Sequence, residues 1–180
     1  AAFEILDNDD LEKIDMIIVG TESGIDQSKA SAVFIHGLLD IQPFVRAIEV
    51  KEACYGATAA LDFAKNHVLN NPDSRVLVIA SDIAKYGVKS SGESTQGAGS
   101  CAMLVTSNPR LLELNNDNIC LTRDVMDFWR PNYSQYAFVE GKFSTEQYLG
   151  CLETVWAKYL ERTKQQLQDF SAVCLHLPYP

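Results

Sequence analysis

A thiol, a carboxylic acid and an imidazole stand in this sequence where strands end or run: Cys54, Glu22 and His176. Meeting in one pocket, they would make a nucleophile with acid–base partners. Cys54 falls between a strand ending near Val50 and a helix starting near Tyr55. A thiol at a helix N-terminus feels the positive end of the macrodipole and nearby unpaired N–H groups, which should raise its thiolate fraction. The flanking Ala53, Gly56 and Ala57 are small and leave room for a substrate. Glu22 follows the apolar run IDMIIV, in Gly20-Thr21-Glu22-Ser23. It stands at the carboxyl end of a strand that reads as parallel, where open α/β sheets place their ligands. Plainer readings stay open for each: a structural cysteine, a solvated loop glutamate, a core histidine inside AVCLHLP. Spacing alone does not bring the three together. Cys101, Cys120, Cys151 and Cys174 lie in apolar stretches and read as small core residues.

The elements that must position these groups alternate along the chain. Ile14–Val19 predicts a short buried strand, and Asp26–Leu39 a helix with Ala30, Val33, Phe34, Gly37 and Leu38 on its apolar stripe. Phe44–Val50 predicts a second strand. Between Cys54 and Leu69, Ala57, Ala60, Leu61, Ala64 and Val68 recur at helical steps, and Asn70-Asn71-Pro72 stops that helix. Arg75–Ser81 is apolar almost throughout, as a strand covered on both faces should be. This order predicts an α/β domain with a parallel sheet. A glycine-rich polar stretch, Lys89–Ser100, leads into a fourth strand at Cys101–Thr106. Leu111–Leu121 reads as extended, with an Asn-rich turn at 115–118. Ser144-Thr-Glu-Gln matches a capping box and predicts a long helix with Tyr148, Leu149, Leu152, Val155, Trp156, Tyr159 and Leu160 buried. Ser171–Leu177 predicts a last strand.

The chain has 180 residues, with 15 Lys+Arg against 24 Asp+Glu, and so a net charge of −9. Hydrophobic residues make up 47% and charged residues 22%, a globular balance that sets aside disorder and low-complexity classes. The acidity argues against a nucleic-acid surface, and no apolar stretch approaches the roughly 20 residues of a membrane span. Five cysteines without a CxxC motif support neither a zinc ribbon nor a thioredoxin motif, so no metal is expected and an intracellular, reduced protein is. The first residues carry no basic signal region, and the absence of an initiator Met suggests a start inside a longer protein.

Several ordered segments resemble one family from end to end. Lys51-Glu52-Ala53-Cys54-Tyr55-Gly56-Ala57-Thr58 resembles the nucleophile segment of the 3-hydroxy-3-methylglutaryl-CoA synthases, especially the bacterial branch. Gly20-Thr21-Glu22-Ser23 resembles their general acid/base segment, and Leu175-His176-Leu177-Pro178-Tyr179 their catalytic-histidine segment. The separations agree as well: 54 − 22 = 32 and 176 − 54 = 122. Further matches are Ala80–Gly87, Thr95–Gly99 and Asp127–Pro131. Departures are slight: Ser94, Ser100, Cys101, Ala137 and Glu140 stand where the family usually has other residues, and none touches the three central groups.

The resemblance implies an α/β, thiolase-like fold, layered αβαβα and incomplete at both ends. Residues 1–107 would form most of the N-terminal half, and 108–180 the connecting region and the start of the C-terminal half. It implies that Cys54 is acetylated by acetyl-CoA and that Glu22 is the base for condensation with acetoacetyl-CoA. His176 would hold the acetoacetyl carbonyl. Tyr86, Thr95 and Ser144 would line or support the acyl pocket, and Asp82 and Asp127 would orient the site. It further implies a cytoplasmic homodimer of the mevalonate route, with CoA thioesters as substrates and no cofactor, nucleic acid or membrane. A piece of this span is expected to be inactive alone. The rivals are a polyketide branch-forming or ketoacyl synthase and a non-catalytic thiolase-fold subunit. Glu22 speaks against a simple ketoacyl synthase, which lacks that base.

Overall fold

The computed structural model describes residues 1–90 and 92–176. The elements are α1 (Ala2–Ile5), α2 (Asn8–Lys13), β1 (Ile14–Gly20), α3 (Ser31–Leu39), β2 (Arg46–Val50), α4 (Gly56–Asn70), β3 (Arg75–Ala84), β4 (Gly97–Val105) and α5 (Gly141–Thr163). Two compact units divide the chain: 1–84 with 97–114, and 85–96 with 115–180.

The first unit is built on a four-stranded sheet in the order β2-β1-β3-β4. Its central strand β1 is apolar on both faces, and each face meets a helix. Ile17, Val19, Leu77 and Ile79 pack with Ala32 and Leu39 of α3. Met16, Ile18, Val76 and Val78 pack with Ala60, Ala64 and Val68 of α4. The two-residue alternation of the strands thus sorts one apolar run into two cores. Truncating a residue such as Leu77, which is fully buried, would cost about 2–5 kcal/mol.

β1 runs parallel to β2 and to β3, as α-helical crossovers require. β4 departs from the all-parallel expectation: it pairs antiparallel to β3, from Val76↔Val105 to Ala84↔Gly97. Between β3 and β4 the described residues make a 3-10 turn at Glu93–Thr95 and no crossover helix, and β4 runs in the opposite direction. The ladder also extends β4 back to Gly97, into small residues of low strand propensity.

The starts of α3 and β2 and the buried stripe of α3 differ from the sequence reading. α3 starts at Ser31, because Asp26 Oδ1 accepts from Ser28 N and Lys29 N and spends itself on a local turn. The buried stripe of α3 is Ala32 and Leu39, while Val33 and Leu38 are exposed. β2 starts at Arg46, since Phe44 is held in a turn with Gln42 Oε1 accepting its amide.

In the second unit α5 carries the packing. Trp156, Tyr159 and Phe170 gather at centroid distances of 5.7–6.0 Å. Glu140, not Ser144, caps α5: its carboxylate accepts from Lys142 N and Phe143 N. A carboxylate two and three residues before those amides reaches them directly, and Ser144 falls inside the first turn. Of the predicted stripe, Leu152, Val155, Trp156, Tyr159 and Leu160 are half-buried, while Tyr148 and Leu149 are exposed. Residues 111–121, which begin in the first unit, form no strand, although Asn115 Oδ1 does accept from Asp117 N in the expected turn. Nor do the described residues 171–176 form one. A strand needs a ladder partner, and none of the described residues supplies one; Leu177 lies outside the described residues.

Candidate active site

The first unit brings Glu22, Cys54 and Asp82 to the carboxyl end of its parallel strands. Cys54 lies in a 3-10 turn, Ala53–Tyr55, that joins β2 to α4. Tyr55 N and Gly56 N both donate to Glu52 O, at 2.8 and 3.0 Å, and close that turn. Ala53 has φ +37°, a left-handed conformation that costs an alanine about 1–2 kcal/mol. Strain of this kind, next to the thiol, persists only where the surrounding structure holds it.

Two glycines let the turn meet the end of β1. A Cβ on Gly20 would lie 2.2 Å from Ala57 N, and one on Gly56 would lie 2.9 Å from Val50 O. Both positions exclude a side chain because backbone fills the space.

Asp82 fixes the loop that carries Glu22. It lies within β3, short of the strand's end. Its Oδ1 accepts from Thr21 Oγ1, Glu22 N and Ser23 Oγ at 2.8 Å each, and from Ser23 N at 3.1 Å. Ser23 Oγ in turn accepts from Ile83 N at 3.0 Å. Two hydroxyls and two amides on one carboxylate oxygen leave Thr21-Glu22-Ser23 little freedom.

Burial pushes the Cys54 thiol up first, and the charges of Glu22 and Asp82 push it further; its own backbone amide pulls the other way. The direction is opposite to the expectation of an enlarged thiolate fraction: desolvation and two carboxylates favour the neutral thiol. The residue as a whole is exposed, so it is the sulfur's immediate surroundings that desolvate it. Cys101, Cys120 and Cys174 are exposed as well and Cys151 is half-buried, so none of the four is a core residue.

The other candidates belong to the second unit. Tyr86 packs edge-on against Phe128, 5.7 Å between ring centroids. Thr95 Oγ1 donates to Gly92 O at 2.8 Å, and Gln96 Oε1 accepts from Tyr86 N and Gly87 N. Asp127 has a buried Oδ1 without a hydrogen-bond partner among the described residues, and Phe128 after it has φ +46°. Ser144 is half-buried in the first turn of α5. His176 is exposed, and its carbonyl oxygen accepts from Tyr148 Oη, one turn beyond Ser144. The described residues hold no cluster of three metal-ligating side chains. No helix among them is long and apolar enough to cross a membrane.

Sequence reading missed Thr21 and Ser23 as anchors of Glu22. Hydroxyl residues on both sides of an acid at a strand end were the available signal. It also missed the strain at Ala53, which no residue type announces.

A sheet layered between helices, with a cysteine at the turn into one helix and two carboxylates beside it, is the arrangement of the thiolase-like fold. The comparisons narrow the class. Residues 4–110 match the hydroxymethylglutaryl-coenzyme A synthase N-terminal family and residues 117–179 the C-terminal family. The chain belongs to the hydroxymethylglutaryl-CoA synthase family. It is 55% identical to the hydroxymethylglutaryl-CoA synthase of Enterococcus faecalis, over 99% of this chain and 47% of that protein. It is 33% identical to the polyketide biosynthesis 3-hydroxy-3-methylglutaryl-ACP synthase of Bacillus subtilis, over 93% of this chain and 43% of that one. A crystal structure of an HMG-CoA synthase complexed with CoA superposes with a TM-score of 0.97 at 60% identity, covering 98% of this chain and 46% of that one. The chain spans about half the length of the curated relatives it matches.

Proposed function

We propose that the full-length protein containing this chain condenses acetyl-CoA with acetoacetyl-CoA to hydroxymethylglutaryl-CoA. The observation that carries the reading is the meeting of Cys54, Glu22 and Asp82 at one sheet end, close enough for both carboxylates to act on the thiol.

The Cys54 sulfur attacks the acetyl carbonyl, the thioester bond to CoA breaks, and the thiol proton leaves with the CoA sulfur. A thiol held protonated at rest must give up its proton to a base as the thioester arrives, because the thiolate is the attacking form. The backbone N–H of Cys54, at the turn into α4, would stabilise the developing oxyanion. Glu22 then takes a proton from the acetyl methyl, and the resulting enolate carbon bonds to the ketone of acetoacetyl-CoA. A thioester α-carbon is a far weaker acid than a carboxylic acid, so the base must be close and rigidly held. The grip of Asp82 on the Glu22 amide supplies that rigidity. Glu22 returns its proton to the new alkoxide, and water cleaves the product from Cys54.

His176 would donate to the acetoacetyl carbonyl. Tyr86, Thr95 and Ser144 would line or support the acyl pocket, and Asp127 would help to orient it. The setting would be cytoplasmic, in the mevalonate route, with a homodimer as the working form and no cofactor beyond the CoA substrates. The likeness to a synthase named for an acyl carrier protein supports a second reading, in which the acyl groups arrive on a carrier.

The test uses the full-length protein and [¹⁴C]acetyl-CoA. Label on Cys54, chased by acetoacetyl-CoA into hydroxymethylglutaryl-CoA, is the expected result. No label on Cys54 overturns the reading, and a chase that works only with an acyl carrier selects the second one.

A further inference from the structure

α3 begins without a cap of its own. Ala30 holds the N-cap position and offers no side-chain acceptor, which leaves the first amides of the helix to be satisfied from elsewhere. A neighbouring strand does this: Glu49 Oε2 accepts from Ser31 N at 2.7 Å. Glu49 pairs with Val19 across β1 and β2. It alternates onto the α3 face with Ala47, while Ile48 and Val50 face α4. Its other oxygen lies against Gly24, where a Cβ would come within 2.7 Å of it. One carboxylate therefore touches both ends of the segment 24–31, and its charge is of the sign a helix N-terminus favours.

Glu22 lies at the head of this segment, with Asp82 holding residues 21–23. Without a hold on the far side, the loop from Gly24 to Ser31 could drag on that anchor. We propose that Glu49 is a positioning residue for Glu22, clasping the loop to β2 so that the base keeps its place beside Cys54; this rests on the reading of Glu22 as the condensation base. Glu49 touches no reacting atom. Its removal should therefore spare the acetyl transfer to Cys54 and damage the step that needs Glu22.

The experiment compares Glu49→Ala, Glu49→Gln and Ser31→Pro in the full-length protein. Ser31 is the first helical residue, and Ala30 has φ −60° and ψ 140°, the conformation a residue before proline adopts. Proline at 31 thus deletes the donated N–H and leaves Glu49 intact. In Glu49→Ala and Ser31→Pro, amides 22–30 and 32–33 should exchange with deuterium about tenfold faster, the factor one hydrogen bond to a charged group is worth. Condensation should fall by about the same factor, with acetyl-Cys54 formation within about threefold of wild type. Glu49→Gln, which keeps an acceptor oxygen, should recover most of the loss. Unchanged exchange, or equal loss of both chemical steps, overturns the proposal. If Glu49→Ala does not fold, Ser31→Pro decides alone, and wild-type behaviour there is an overturning result. Should wild type itself yield no condensation product, the function reading fails separately, and the exchange comparison still decides the clasp.

Discussion

Asp82 Oδ1 accepts a hydrogen bond from the Glu22 amide at 2.8 Å, across 60 residues of sequence. It makes β3 the ruler against which the loop after β1 is set, and the same oxygen takes Thr21 and Ser23. Removing it by Asp82→Ala frees all of these donors. The expected loss in condensation rate is about 10–100-fold, since a bond to a charged acceptor is worth about 1.5–3 kcal/mol. Asp82→Asn keeps an acceptor oxygen and should lose less. Single-turnover assays that follow acetylation and condensation separately check this; a larger loss in Asp82→Asn than in Asp82→Ala contradicts a positioning role.

The thiol offers a pH test. Burial, Glu22 and Asp82 all raise the pKa of Cys54, so at neutral pH the thiolate is scarcer than in an ordinary cysteine. Alkylation by iodoacetamide should therefore be slow at neutral pH and keep rising above the pH where a free thiol levels off. Glu22→Gln removes one negative charge and so favours the thiolate, which must move the profile to lower pH. Rate-against-pH curves for the two proteins check the sign; a shift upward, or none, removes Glu22 from the neighbourhood of the sulfur.

The core was legible in the sequence because its strands are covered on both faces. Runs such as Arg75–Ile79 leave no choice of exposed side, and β1, β3 and α4 fall where apolar content and periodicity put them. The turn holding Cys54 was legible for the same reason, being the only path from β2 to α4. What sequence could not show were interactions between distant residues. The first amide of α3 is met by Glu49 from another strand, a contact that reading locally could not supply when it began that helix at Asp26. The thiol's environment depends on carboxylates at positions 22 and 82, so the helix N-terminus alone gave the wrong sign. The roles of Tyr86, Thr95, Ser144 and Asp127 came from family resemblance, and no periodicity or spacing pointed to them; His176 was singled out by residue type, but its hold on the acetoacetyl carbonyl came from resemblance too.

The start of α5 separates capping from other work by Ser144. Glu140→Ala removes the acceptor for Lys142 N and Phe143 N and should cost about 1 kcal/mol. Ser144→Ala leaves both bonds in place and should cost little on this account. Deuterium exchange at amides 142–143 distinguishes the two: faster exchange in Ser144→Ala than in Glu140→Ala would restore Ser144 as the cap. A Ser144→Ala protein that stays protected yet loses condensation would place its hydroxyl with the substrate.

Gly20 gives the sharpest test of how the site is assembled. Its α-carbon abuts the first turn of α4, and an added Cβ would lie 2.2 Å from Ala57 N and 2.6 Å from Gly56 C. Both are backbone atoms, so no rotamer change relieves the clash, and the only relief is to move α4 away from β1. That movement would open the packing of Ala60 and Ala64 on Met16 and Ile18. It would also carry Cys54, joined to α4 through Tyr55, away from Glu22. Gly20→Ala should therefore lower stability by about 3 kcal/mol, the upper end for forced overpacking, and suppress condensation in whatever protein still folds. Urea unfolding of the full-length protein measures the first effect and a condensation assay the second. Stability and rate both near wild type would mean that β1 and α4 do not meet at this glycine.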